Sequence, residues 1–62
     1  MQMKLEEILK LFNLTQAEAS NGTQSLDTLV KWTNDLIAER GRDYVVANRQ
    51  GLRDEWLFIQ TL

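Results

Sequence analysis

Residues 25–41 show the clearest separation of apolar and polar positions along the chain. At about 100° per residue, the large apolar side chains fall on one side of a helix and the charged side chains on the other. Ser25 is a good N-cap, Asp27 suits the positive end of the helix dipole, and Gly41 is a typical residue just past a helix. The pattern predicts a helix over about residues 25–40 with one buried face. That face carries Leu26, Leu29, Val30, Trp32, Thr33, Leu36 and Ile37.

Two shorter helices are predicted before this long one. Leu5, Ile8, Leu9 and Phe12 recur at i, i+3, i+4 and i+7, which predicts an amphipathic helix over about residues 3–12. Thr15 and the glutamate three positions later form a capping box, which predicts a second helix over about residues 15–20. We expect it to be short, because a cluster of turn residues follows at 20–22.

The last twenty residues have two interpretations. Residues 44–47 (YVVA) and 56–59 (WLFI) are rich in strand formers, and residues 48–51 (NRQG) suit a hairpin loop. In the helical interpretation, Val45, Leu52, Trp56 and Ile59 share one face, while Gly51 costs about 1 kcal/mol in the helix interior. We predict the hairpin, with strands at about 43–48 and 54–60, because Gly51 falls where the turn needs it. The expected fold is therefore α+β and winged-helix-like, with a small all-α bundle as the alternative.

Composition limits the chemistry that the chain can perform. Its 62 residues predict one domain, residues 1–62, near the lower limit for a single packed core. With no cysteine and no histidine, disulfides, Cys/His zinc sites, a histidine base and a thiolate nucleophile are excluded. The only adjacent carboxylates, at 6–7 and 54–55, point in different directions on a helix or a strand. We therefore expect no catalysis, no cofactor, no metal and no small-molecule substrate.

The distribution of charge is more informative than the net charge of −2. Residues 40–53 include four arginines and one aspartate, whereas the outward side of the long helix carries three carboxylates and one lysine. One part of the chain is thus basic and one helix face is acidic. No apolar run approaches the ~20 residues of a membrane span, and the first residues lack the features of a secretory signal. We expect a cytoplasmic protein without membrane contact.

Three stretches resemble one class of protein. Residues 12–19 (FNLTQAEA) resemble the junction between the first two helices of repressor-type helix-turn-helix proteins, and residues 28–32 (TLVKW) resemble the middle of their recognition helix. The passage from residues 40–41 (RG) to 44–46 (YVV) resembles the approach to the wing in small winged helix-turn-helix domains of phage or mobile-element type. This resemblance implies a DNA-binding transcriptional regulator, with homodimerisation as a way to double its contacts.

The resemblance also nominates binding residues. The third helix would enter the major groove, and arginines on the wing would lie near phosphates. The groove residues would be Gln24, Ser25, Thr28 and Lys31. The phosphate-contacting residues would be Arg42, Arg49 and Arg53.

Electrostatics supports a competing hypothesis. The acidic face of the long helix would be repelled by DNA phosphates, whose neutralisation by Lys and Arg supplies much of the affinity of DNA-binding proteins. The alternative is an acidic inhibitor or adaptor that binds a host protein, such as one associated with DNA, with Trp32 or an exposed edge of Trp56 as the anchor. A purely structural or oligomerising helical protein is a third hypothesis. It gains support if the C-terminal third is helical and exposes an apolar stripe.

Overall fold

Five α-helices make up the part of the chain, residues 2–62, that the computed structural model describes. They are α1 (Leu5–Phe12), α2 (Gln16–Ala19), α3 (Leu26–Arg40), α4 (Arg42–Ala47) and α5 (Arg49–Ile59). No strand occurs among residues 2–62, so the α+β, winged-helix-like prediction was wrong. The first three helices lie where the apolar pattern placed them, and the predicted hairpin at 43–48 and 54–60 is replaced by α4 and α5.

The ends of the N-terminal helices follow from local chemistry. Asn13, which ends α1, adopts the left-handed conformation with φ of 53°, which asparagine tolerates well. At the start of α2, the Thr15 hydroxyl accepts a hydrogen bond from the Glu18 backbone N–H at 3.1 Å, and the Glu18 carboxylate accepts one from the Thr15 N–H at 2.9 Å. At the start of α3, the Ser25 hydroxyl accepts a hydrogen bond from the Thr28 N–H at 3.3 Å. Both predicted caps are therefore present.

The C-terminal third is helical because its apolar residues bury together only at helical spacing. Val45, Leu52 and Trp56 are all buried, and they point to one side of α4 and α5. Neither an isolated two-stranded hairpin nor an isolated helix as short as α4 or α5 is stable in water, so packing decides between the two structures. At the junction, Asn48 donates to the Tyr44 carbonyl oxygen from its backbone N–H at 3.0 Å and from its side chain at 2.8 Å. Asn48 thus joins two helices rather than opening a turn between strands.

All five helices contribute to one core. Helix α3 contacts α1, α2 and α4, while α5 packs against α1 and α4. The Trp32 ring lies between Phe12 and Trp56, with ring centroids 6.4 Å and 5.4 Å away respectively. Around this aromatic group lie the other buried apolar residues. They are Met3, Ile8, Leu9, Leu14, Ala19, Leu29, Val45 and Leu52.

A buried amide ties the N-terminal segment to α3. The Asn34 side chain accepts a hydrogen bond from the Met3 backbone N–H at 2.7 Å and donates one to the Met3 carbonyl oxygen at 3.0 Å. Both hydrogen bonds are buried. Because a buried amide without partners would be costly, this pairing is what allows Asn34 to lie inside.

A second polar cluster ties the end of α5 to the segment between α2 and α3. The Gln60 carbonyl oxygen accepts from the Thr23 N–H at 3.1 Å, and its side-chain oxygen accepts from the Gln24 N–H at 3.0 Å. The Ala19 carbonyl oxygen accepts from the Trp56 indole N–H at 2.9 Å and from the Gln60 side-chain amide. Residues 19–24 are thus held against the end of α5.

Candidate functional site

The four residues nominated for a DNA groove lie at the start of α3, and most of them are engaged within the fold. Gln24 is partly buried, and its backbone N–H donates to Gln60. Ser25 caps the helix, and its hydroxyl lies 3.0 Å from that of Thr28. Lys31 pairs with Asp35 across one turn at 3.0 Å, and both side chains are largely exposed. Such an exposed pair contributes little stability, so Lys31 remains available to a partner.

The three nominated arginines lie on α4 and α5, because the wing that was expected to carry them is absent. Arg49 donates from its guanidinium to the Val46 carbonyl oxygen at 2.9 Å. Arg53 is partly buried, and its nearest carboxylate is that of Asp54 at 3.9 Å. Arg42 is exposed, and within residues 2–62 it makes no ion pair or side-chain hydrogen bond by the usual distance limits. The structure therefore gives these arginines separate environments on two helices instead of one basic tip.

Arg40 is also committed to a local contact. Its guanidinium donates to the Tyr44 hydroxyl at 2.7 Å and lies over the Tyr44 ring, 5.1 Å from the ring centre. The cation–π contact and the hydrogen bond connect the last turn of α3 with α4 across the Gly41 junction. Of the arginines at 40–53, only Arg42 is thus both exposed and without such a partner in the described part of the chain.

The groove between α1 and α2 is too open to serve as an enclosed active site. It has a volume of about 330 Å³ and is lined by Leu9, Lys10, Asn13, Leu14, Thr15 and Glu18. The carboxylate in this groove belongs to Glu18, which caps α2. Hydrogen bonds from the Thr15 backbone N–H and side chain hold the pKa of Glu18 below its ordinary value. The positive charge of Arg53 acts in the same direction. The structural role that the contacts of Glu18 show is the capping of α2.

The described residues offer no metal site, and none of their helices is long and apolar enough to cross a membrane. Among residues 2–62, no three carboxylates come close enough together to hold an ion. The longest helix there, α3, has 15 residues and carries charges on its outward face.

The surface that sequence analysis missed is the outer side of α5. Phe58 is 64% exposed, and Leu62, in the turn that follows the helix, is 76% exposed. Gly51, Glu55 and Phe58 recur at i, i+4 and i+7 on the exposed side of α5, and the buried Leu52 and Trp56 lie about 100° around the helix from Gly51 and Glu55. We call Gly51, Glu55, Phe58 and Leu62 the α5 stripe. A helical projection of residues 49–59 would have found it, but the hairpin prediction assigned these residues to a strand.

The two candidate aromatic anchors are part of the core. Trp56 is 1% exposed, so the expectation that an edge of its ring is free for a partner was wrong. Trp32 is partly buried and packs against Phe12 and Trp56. Phe58 is the aromatic residue that the fold leaves in solvent.

Comparisons with protein-family models, with curated proteins and with solved structures found no match to this chain. The resemblance of residues 12–32 to helix-turn-helix proteins stays a prediction that rests on those residues.

Proposed function

We propose that this chain is a small, non-enzymatic protein-binding module that acts in the cytoplasm as an adaptor or inhibitor of a host protein. The observation that carries the proposal is the exposure of Phe58 and Leu62 at the end of α5. An exposed apolar stripe on a helical C-terminal third also supports the oligomerising hypothesis, but the net charge of −2 on each copy opposes self-association. The fold buries Thr33, Asn34 and Gln60 while it leaves a phenyl ring in water. Full burial of an exposed leucine or phenylalanine side chain contributes about 1.5–3 kcal/mol, so covering Phe58 and Leu62 would favour the binding of a partner.

A DNA-binding regulator of phage or mobile-element type, as a homodimer or a monomer, is the second candidate. It is supported by Thr28 and Lys31, which remain exposed on α3. Two features favour the protein partner instead. The nominated arginines do not form one basic surface, because Arg42 lies on α4 and Arg53 is partly buried on α5. The carboxylates on the outward face of α3 would also oppose a close approach to DNA.

Site-specific photo-crosslinking tests the protein-binding proposal. Phe58 is replaced by a photoreactive phenylalanine derivative, and the protein is irradiated in its source cells. The matched control carries the same group at Ala38, an exposed position on α3. We expect a crosslinked adduct with one host protein from position 58 and none from position 38. Adducts only between copies of this chain, or equal adducts from both positions, would contradict the proposal.

A salt titration with labelled duplex DNA tests the second candidate. Binding through phosphates weakens steeply as salt increases, because bound proteins displace condensed cations. Replacing Lys31 by Glu should then remove the binding, while replacing Phe58 by Asp should leave it unchanged. If DNA binds at moderate salt and Phe58 has no effect on any interaction, the regulator becomes the better assignment.

A further inference from the structure

The glycine in α5 has no explanation within the fold. Gly51 is the third residue of α5, in the first turn of the helix, and its φ is negative, as any residue in a helix would have. A Cβ built at Gly51 would meet no atom within 4 Å. Alanine would fit this backbone without strain and would restrict the unfolded chain more than glycine does, so glycine is the less stable residue here. The chain thus carries a destabilising residue that neither its backbone nor its packing requires.

The position of this glycine suggests what it is for. Gly51 begins the α5 stripe, one turn before Glu55 and two turns before Phe58. Where a helix lacks a Cβ, the backbone of another helix can approach closely, and Phe58 then stands beside that contact as an apolar anchor. A local rule that is broken without benefit to the fold is expected at functional sites.

The charges beside the α5 stripe indicate which kind of partner it would bind. From residue 54 to residue 62 the chain has two carboxylates and no Lys or Arg. Glu55 is exposed and makes no ion pair within residues 2–62, while Asp54 is exposed and makes a long ion pair with Arg53 at 3.9 Å. A second copy of the chain would bring the same carboxylates together, on a molecule whose net charge is already −2. A basic surface is the complement that these residues fit.

We propose that the α5 stripe receives a basic amphipathic helix of a partner protein. The backbone of that helix crosses α5 at Gly51, its apolar face covers Phe58 and Leu62, and its Lys or Arg side chains reach Asp54 and Glu55. This proposal rests on the protein-binding function proposed above and specifies the chemistry of the partner.

Two synthetic helical peptides of about 20 residues, a length at which isolated helices are stable enough to study, provide the probe. Both carry leucine at i, i+3, i+4 and i+7, and the remaining positions are lysine and alanine in one and glutamate and alanine in the other. Binding is measured by fluorescence anisotropy of labelled peptide and mapped by amide chemical shifts of the protein. We expect the lysine peptide to bind at least about tenfold more tightly than the glutamate peptide, with shifts centred on α5.

A substitution at Gly51 distinguishes close packing of the two helices from electrostatic attraction between the peptide and the protein. Gly51→Leu should weaken the lysine peptide by at least about tenfold, because the added side chain holds the two backbones apart. Ala38→Leu is the matched control, since it adds an exposed leucine to another helix, and it should leave the affinity unchanged. Thermal unfolding of both variants, followed by circular dichroism, shows that each is folded.

The outcomes distinguish this inference from the function on which it rests. If Gly51→Leu binds as tightly as the original chain, or if both peptides bind equally, the basic-helix inference is overturned. A host-protein crosslink from position 58 would still support the protein-binding function in that case. If neither peptide binds and position 58 gives no crosslink, both proposals fail.

Discussion

Replacing Gly22 by alanine should destabilise the protein, because the end of α5 occupies the space that a side chain would need. A Cβ built at Gly22 would lie 2.6 Å from the Gln60 Cβ and 2.8 Å from the Gln60 carbonyl carbon, both inside the contact distance that real Cβ atoms keep. The obstacle is partly backbone, so rotation of a side chain cannot remove it. The segment that contains Gly22 must move away from α5.

That movement has a defined energetic consequence. It breaks the hydrogen bonds from the Thr23 and Gln24 backbone N–H groups to Gln60. At about 1 kcal/mol for each bond, Gly22→Ala should cost about 2 kcal/mol. A domain of this size is stable by only about 3–9 kcal/mol in total. For small domains, 2 kcal/mol corresponds to a fall in Tm of about 8–16 °C.

Gly51→Ala is the matched control, because the same substitution meets no atom within 4 Å there. It should stabilise the protein by about 0.4–1 kcal/mol, because alanine fits this backbone without strain and reduces the conformational entropy of the unfolded chain. Thermal and urea unfolding of the three proteins, followed by circular dichroism at 222 nm, measure both effects. If Gly22→Ala raises the Tm or leaves it unchanged, the packing of residues 19–24 against Gln60 described above is incorrect.

Three further effects should be measurable. Thr33→Val should stabilise the protein by about 1 kcal/mol, since the Thr33 hydroxyl is buried without a hydrogen-bond partner in the described residues; a lower urea midpoint would show that it has one. Asn34→Ala should cost about 2 kcal/mol and speed amide exchange at Met3, because both of their hydrogen bonds are lost; unchanged exchange would contradict this pairing. The lowered pKa of Glu18 means that its contribution is complete above the ordinary glutamate pKa and disappears as the pH falls through the folded value. Glu18→Gln should therefore lose less stability than the original chain between pH 7 and acid conditions, and equal losses would show that Thr15 does not stabilise this carboxylate.

Helices α1, α2 and α3 could be predicted from sequence because their signals are local. The apolar spacing that ends at Phe12, the capping box of Thr15 and Glu18, and the Ser25 cap involve residues within a few positions of one another. Each signal keeps its meaning whatever the remainder of the chain does. The stop at Gly41 is local in the same sense, since its φ of 90° is one that L side chains rarely adopt.

The conformation of residues 43–62 was decided by tertiary contacts. Their strand-forming composition is a weak preference that depends on context, and packing against the other helices overrides it. Helical spacing instead places Val45, Leu52 and Trp56 in the common core, and Trp56 gains a buried hydrogen bond to the Ala19 carbonyl oxygen. Burial of these three side chains outweighs the local preference.

The candidate site also depended on the helical conformation of residues 43–62. The charges of Arg42, Arg49 and Arg53 are evident from the sequence, but whether they converge depends on the path of the backbone between them. A hairpin would have grouped them at its tip, whereas α4 and α5 separate them and turn Phe58 outward. Helix capping and apolar periodicity involve residues a few positions apart, so the helices that they define can be predicted from the sequence. The identity of the exposed surface is set by which distant side chains share the core, and only the tertiary structure supplied that.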